Sequence, residues 1–282
     1  MSQLAASPFV RRKLRGRLAC IYQVRGKGPK AAQKAEGSEG QSPKLWAIFK
    51  LFERFLNYVD LYGAKRPVIL CEGVTDNIYI KAAIQASPAE YPLLSSPTGE
   101  PRIKQFKYTK SSAAVQQLLL KLVSSYSSRT KKFKSPAANP LIIVADSDSA
   151  NKALFKIVET RTGLKIGTQP WFHLESNLYV IPIPKVGGID TPIERLFDQT
   201  LLEAIFEGKK FDLKNAETDG TKFYGKKVFA TKVIAPNKAT VNFAGFVPLL
   251  NAISAAINDY KSKTAVASGV ALAAASADAA AA

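Results

Sequence analysis

The chain has 282 residues, room for one large domain or for a domain with an appendage. A hydrophobic content of 46% excludes wholesale disorder, and no apolar run approaches the roughly 20 residues that span a bilayer. Lys and Arg number 40 against 22 Asp and Glu, for a net charge of +18 and a pI near 9.8, which points to an anionic partner, nucleic acid before any other. Cys20 and Cys71 give neither a disulfide framework nor a zinc cluster, and the single His173 excludes a His-rich metal site. The opening segment lacks the long apolar core of a secretory signal. A reducing, cytoplasmic setting is expected.

In chain order, residues 1–50 hold 11 Lys/Arg and 2 Glu, half of the whole positive excess. Arg11, Arg12, Lys13, Arg15 and Arg17 crowd together, interleaved with Phe9, Leu14, Leu18 and Tyr22. Such a segment can pack one face and offer the other to phosphates. Residues 26–43 read as a flexible loop. Leu45, Phe49, Phe52, Leu56 and Val59 recur at helical steps, and Gly63 and Pro67 end that helix. Val68–Cys71 predicts a buried strand, followed by a helix from Asn77 to about Ala86. A Pro/Ser-rich loop at 86–102 leads to a short strand at Ile103–Tyr108.

Val115, Leu118, Leu119, Leu122, Val123 and Tyr126 define an amphipathic helix. A basic loop precedes a second buried strand at 141–146, and the next helix is closed by Gly163. His173, in an alternating stretch with Trp171, reads as a packed or edge-strand residue, and "NLYVIPIP" at 177–184 as a third strand. Alternation of strand and helix at this spacing predicts an α/β fold, a mainly parallel sheet covered by helices on both faces. The Ala-rich end, 264–282, reads as weakly helical or disordered.

Two apolar strands run directly into carboxylates. Glu72 follows "VILC", and Asp146 with Asp148 follows "LIIVA". Ligands of open parallel sheets sit at the carboxyl ends of the strands. If the two strands are neighbours, these acids converge there, and Asp76 at the start of the next helix can face the same cleft. Carboxylates packed together repel unless something positive intervenes, and hard cations such as Mg²⁺ take oxygen ligands. A net-basic chain that concentrates acids at one point suggests a metal-dependent enzyme acting on phosphodiesters. Each acid taken singly has a plainer role: Asp76 and Asp148 both stand where helix caps stand.

An apolar strand entering Glu-Gly, followed by a strand entering Asp-x-Asp, resembles the TOPRIM domain of topoisomerases, bacterial primases and overcoming-lysogenization-defect nucleases. The "EGVTD" form, with Asp76, is most similar to the nuclease branch. "GRLACIYQVRGK", 16–27, resembles the thumb-region motif of retron reverse transcriptases. "RPVILCEGVTDNIYIKAAI", "NLYVIPIP", "GGIDTPIERLF" and "YGKKVFATKVI" look like the TOPRIM extension some of those enzymes carry. The chain has no YxDD-type polymerase signature, so it cannot synthesise DNA by itself.

The resemblance implies a TOPRIM-like sheet domain at 66–262, preceded by a basic, largely helical segment at 1–65 and followed by an Ala-rich tail at 263–282. It implies Mg²⁺, with Mn²⁺ as a substitute, at Glu72, Asp76, Asp146, Asp148 and a further acid, Glu194. Asp190 is an alternative to Glu194. It implies catalytic roles for Glu72 and Lys226, with Lys227 competing for the second. Lys226 would stabilise charge on the phosphate. The implied partners are nucleic acid (retron DNA–RNA, or target DNA or RNA) and the polymerase portion or subunit of a retron reverse transcriptase, with no membrane and with oligomerisation open.

Two functions follow as expectations. One is a Mg²⁺-dependent TOPRIM nuclease, the effector of a retron anti-phage system. The other is a non-catalytic subunit that holds retron DNA–RNA or a reverse transcriptase. A topoisomerase or primase fits poorly, because no zinc-binding module and no strand-passage Tyr is recognisable.

Overall fold

The computed structural model describes residues 51, 55, 57–106, 112–133, 135–189, 191–213 and 219–280. The basic cluster Arg11, Arg12, Lys13, Arg15 and Arg17, most of the helix expected at 45–59, and Asp190 lie outside the described residues.

The chain enters through a wide helical turn, Tyr58–Tyr62, that Gly63 closes by donating its N–H to the Tyr58 carbonyl at 2.6 Å. Strand β1 (Val68–Cys71) follows, then helix α1 (Val74–Ala86) and the short strand β2 (Lys104–Gln105). Helix α2 (Ser112–Thr130) leads to β3 (Leu141–Ala145), and a 3-10 turn, Ser149–Asn151, runs into α3 (Lys152–Thr162). A hairpin comes next, β4 (Phe172–Glu175) and β5 (Leu178–Pro182). The remainder is largely helical turns, with a small sheet of β6 (Lys210–Phe211) and β7 (Phe223–Tyr224), and ends in the long helix α4 (Val247–Ala280).

The five-stranded sheet has the order β2-β1-β3-β5-β4. Neighbours pair in parallel except β4, which runs antiparallel at the edge. The expected α/β architecture with a mostly parallel, helix-flanked sheet is therefore present. Every residue of β1, β3 and β5 is buried. Successive side chains in a strand point to opposite faces, so both faces are covered. Ile69, Leu70, Leu141, Ile142 and Ile143 lose all their exposure, each worth about 1.5–3 kcal/mol. That apolar centre offsets the cost of gathering charged groups at its rim.

The strands at 68–71 and 141–145 stand where the sequence puts them, and the third covers 178–182 of the expected 177–184. Gly163 closes α3 with φ of 72°, the left-handed cap that glycine adopts without strain. Helix α1 starts three residues earlier than the apolar spacing suggests, because a carboxylate cap at its first turn extends it to Val74. Strand β4 is half-exposed, with a register shift between His173 and Glu175. His173 is an edge-strand residue, its ring 4.8 Å from that of Tyr179 and its Nε2 2.9 Å from the Ser176 carbonyl. The Ala-rich tail continues α4 as helix to Ala280. No helix among the described residues is long and apolar enough to cross a membrane.

Candidate active site

Strands β1 and β3 are parallel neighbours in a register that sets Cys71 against Val144. Their carboxyl ends therefore deliver Glu72 and Asp146 side by side. Glu72 is buried, and both its oxygens are held. Oε1 accepts from the Asp146 backbone N–H at 2.9 Å and from the Asn151 amide, and Oε2 accepts from Gln116 Nε2 at 2.8 Å. The Asn151 amide also donates to the Asp146 carbonyl at 2.9 Å, so this one side chain ties Glu72 to the end of β3.

Gly73 comes next for a spatial reason. A Cβ there would stand 2.6 Å from Asp76 Oδ1. Its absence lets the Asp76 carboxylate fold back and accept the Gly73 N–H at 2.7 Å, with Thr75 Oγ1 at 3.2 Å. Asp76 is thus both the cap of α1 and a member of the acidic group. Asp148 caps in the forward sense, as the N-cap of the Ser149–Asn151 turn, its Oδ1 accepting the Ala150 N–H at 3.0 Å. The plain capping roles of both residues are real features of the fold.

The loop after β5 returns over β3. Ser147 and Thr191 exchange backbone hydrogen bonds, and Ser147 Oγ donates to the Ile183 carbonyl. Pro192 then starts a 3-10 turn, Ile193–Leu196. The Ile193 N–H reaches Asp146 Oδ1 at 3.0 Å, which fixes the Asp146 side chain. The same turn inserts Glu194, only 1% exposed, beside the other acids. Lys226 meets it from the start of a later helical turn, Nζ to Glu194 Oε2 at 3.0 Å. Tyr79 of α1 seats that turn by donating to the Lys226 carbonyl at 3.3 Å, and its ring packs edge-on against Phe197 and Phe229. Lys227 is exposed, and Lys226 is the one of the two that pairs with Glu194.

Electrostatics records the crowding. Burial pushes Asp146 up to about 9, reinforced by the charges of Asp76, Glu72, Glu194 and Asp148. Burial raises Glu72 as well, against the lowering effect of its Gln116, Asp146 and Asn151 donors. Asp76 is raised by burial despite the Gly73 N–H, Thr75 and Lys226. Glu194 is raised by burial although Lys226 pulls it down. Lys226 stays cationic: burial works against its charge, but Glu194, Asp146 and Asp76 outweigh it. Even the Cys71 thiol, fully buried filling at the end of β1, is pushed up by burial and then by Asp76, Asp146 and Glu72.

The structure thus gathers Glu72, Asp76, Asp146, Asp148, Glu194 and Lys226 at one end of the sheet. It adds Gln116 and Asn151, which sequence reasoning missed. Among the described residues, no three His, Cys, Asp or Glu side chains are arranged to hold an ion as they stand. The reason is visible in the donors: the oxygens of Glu72 and Asp76 are turned toward N–H and O–H groups of the protein. Glu194 Oε1 is the exception, a buried carboxylate oxygen with no hydrogen-bond partner. An all-oxygen donor set containing such an orphan suits a hard divalent cation. The chain matches no protein-family model, and no solved structure matches it.

Proposed function

We propose that the chain is a Mg²⁺-dependent nuclease of the TOPRIM type, with Mn²⁺ as a substitute, acting as the effector part of a retron defence system. One observation carries the reading: Glu194 keeps an unpartnered, buried oxygen beside Asp146, whose carboxyl is already pushed up to about 9 by burial and four other acids. A site with more negative charge than its own Lys226 offsets is a site that calls for a cation. Asp76, Asp146, Asp148 and Glu194 would hold it, with Glu72 alongside. When bound, the cation supplies positive charge at a phosphodiester and polarises water.

The chain's own groups have separate tasks. Lys226 has three N–H donors and spends one on Glu194, which leaves the others for the oxygens of a phosphate as charge builds on them. Glu72 Oε2 accepts a single hydrogen bond, from Gln116, while Oε1 accepts two. Oε2 is therefore the atom with capacity to take a proton from water or return one to a leaving oxygen. Burial raises its pKa, the direction that favours holding and returning a proton. The Ile193 N–H holds Asp146 in a single orientation toward the acids.

The link to a retron rests on the resemblance of 16–27 to the thumb motif, and the net charge of +18 supports a nucleic-acid substrate. The non-catalytic reading draws on Glu72, whose three donors make it a tie between two strands whatever else it does. The test is cleavage of labelled single- and double-stranded DNA and RNA with Mg²⁺ or with chelator. Asp146→Ala should abolish cleavage while the circular dichroism spectrum and nucleic-acid binding stay as in the parent. No metal-dependent cleavage of any of these substrates, with binding retained, would leave the holding subunit as the function.

A further inference from the structure

Beside the acidic group lies a cleft of about 1030 Å³ that the roles above leave unassigned. Its inner rim is Ser147 and Asp148, the residues that follow Asp146, so the cleft opens directly from the acid-bearing end of β3. One wall is the first two turns of α3, where Lys152 and Lys156 stand one helical turn apart with Phe155 between them. Lys185, just beyond β5, lines the same cleft from a second element. Ile166, Pro170 and Pro184 complete an apolar lining. The three lysines are exposed and make no ion pair with a described carboxylate. Glu159, an acid of the lining, is already engaged by the Ile166 N–H at 3.0 Å and by Lys165 at 3.8 Å.

We infer that this cleft binds a single strand of nucleic acid that leads into the acidic site, with Lys152, Lys156 and Lys185 on successive phosphates and Phe155 with the prolines against exposed base faces. The inference rests on the nuclease reading for what happens at the acids, but not for what fills the cleft. Three features select this occupant. Three cations from two elements along one cleft match a chain of phosphates, not an isolated anion. Apolar and aromatic surface between cations matches base faces, the combination by which single strands are held without regard to sequence. The volume, at the upper end of the ~300–1,000 Å³ typical of ligand sites, admits a few nucleotides. A duplex turns its base faces inward, where Phe155 and the prolines do not reach them. DNA and RNA strands share this chemistry.

The experiment uses the full chain in chelator, so that binding is read without cleavage. Fluorescence anisotropy follows a short labelled single strand, and the same strand in duplex, across a salt series. The variants are Lys152→Ser/Lys156→Ser/Lys185→Ser, which changes only exposed side chains, and Phe155→Ala. For the single strand, the triple variant should weaken binding about tenfold at low salt and lower the log–log salt slope by about two, at roughly 0.7 per phosphate contact. Phe155→Ala should weaken it by about tenfold with the slope unchanged, as loss of a stacking contact does. Duplex binding, carried by other basic residues, should change less than twofold.

Unchanged single-strand affinity and slope in the triple variant overturn the inference. So does an equal loss for duplex, which would make the lysines a general electrostatic surface. If Phe155→Ala alters folding, the triple variant decides the matter by itself. A parent chain that cleaves nothing, but whose single-strand binding falls as expected in the variants, sinks the nuclease reading and leaves the cleft assignment standing.

Discussion

Glu72 Oε1 accepts a hydrogen bond from the Asp146 N–H at 2.9 Å, so the first acid of the group holds the backbone of the second. The bond closes the gap between the ends of two parallel strands just where the ladder between them stops. Replacing Glu72 with Gln keeps the shape but turns one oxygen into an NH₂ group. Whichever way the amide lies, that NH₂ faces a donor: Gln116 on one side, Asn151 and the Asp146 N–H on the other. Glu72→Gln should therefore lower stability by about 1–3 kcal/mol, the cost of buried polar groups left unpaired. Urea denaturation of parent and variant measures it, and equal midpoints would show the three donors to be relaxed elsewhere.

Asp146 sets the pH response. Folded, its carboxyl holds a proton to about 9, whereas an unperturbed aspartate releases it near 3.8. The folded state thus binds more protons across this window, and its stability falls as pH rises from about 4 through 9. Asp146→Asn keeps an oxygen for the Ile193 N–H and removes the ionisation. In chelator-treated buffer, Tm of the parent should decline between pH 6 and 9 more steeply than Tm of Asp146→Asn. Added Mg²⁺ should raise Tm of the parent at pH 8 and leave the variant nearly unmoved. Parallel pH curves for the two proteins would place the proton elsewhere.

Lys226 and Lys227 are adjacent in sequence and opposite in consequence. Lys226→Met leaves Glu194 buried without the cation that pairs with it. The expected cost is at the lower end of the ~3–5 kcal/mol seen when one partner of a buried pair is removed, since Lys226 itself is 34% exposed. Lys227→Met should change stability by no more than about 0.5 kcal/mol. Adding Glu194→Gln to Lys226→Met should return part of the loss. Thermal melts of the four proteins test the set, and equal melts for the two Lys variants would break the assignment.

Gly245 tests how the turn bearing Glu194 is held. A Cβ at that position would come within 2.1 Å of the Leu196 carbonyl oxygen, a backbone atom that cannot turn aside. Gly245→Ala should cost about 1–3 kcal/mol through forced backbone displacement. It should also reduce the proposed nuclease activity without touching any acid, because Leu196 ends the Ile193–Leu196 turn. Activity reduced in proportion to the folded fraction alone would mean that the turn is anchored from its other end.

The parts of this site that were legible in the sequence are those that interrupt a strand. Glu72 and Asp146 announce themselves because a carboxylate directly after four or five buried apolar residues has few places to be except the end of a sheet. Glu194 and Lys226 carry no such signal. They arrive on a 3-10 turn and a three-residue helical turn, where no periodicity exists to read, and only the resemblance to TOPRIM nucleases pointed to them. Gln116 and Asn151 were hidden for another reason. A polar residue flanking the apolar stripe of a helix looks like solvent-facing surface, and only the coordinates reveal that a buried carboxylate lies on that side. Strand β4 shows only as the alternation around Trp171 and His173, which marks an edge strand but not its antiparallel pairing with β5.

The order β2-β1-β3-β5-β4, with Lys226 supplied from beyond the sheet, has a consequence for the chain as it is made. Ribosomal synthesis delivers Glu72 first, Asp146 and Glu194 later and Lys226 last of the group, and domains generally fold in that direction. A nascent or truncated chain that stops short of residue 226 has β1 and β3 but lacks Phe229, Phe246, Leu249, Ile253 and Ile257, which belong to the same buried core. It also holds Glu194 with no cation against it and lacks the turn that seats on Tyr79. The acids therefore reach their final arrangement only after most of the polypeptide has left the ribosome. The covering of the sheet and the cation of the acidic group are supplied by the same late stretch of chain, so core and site are completed together.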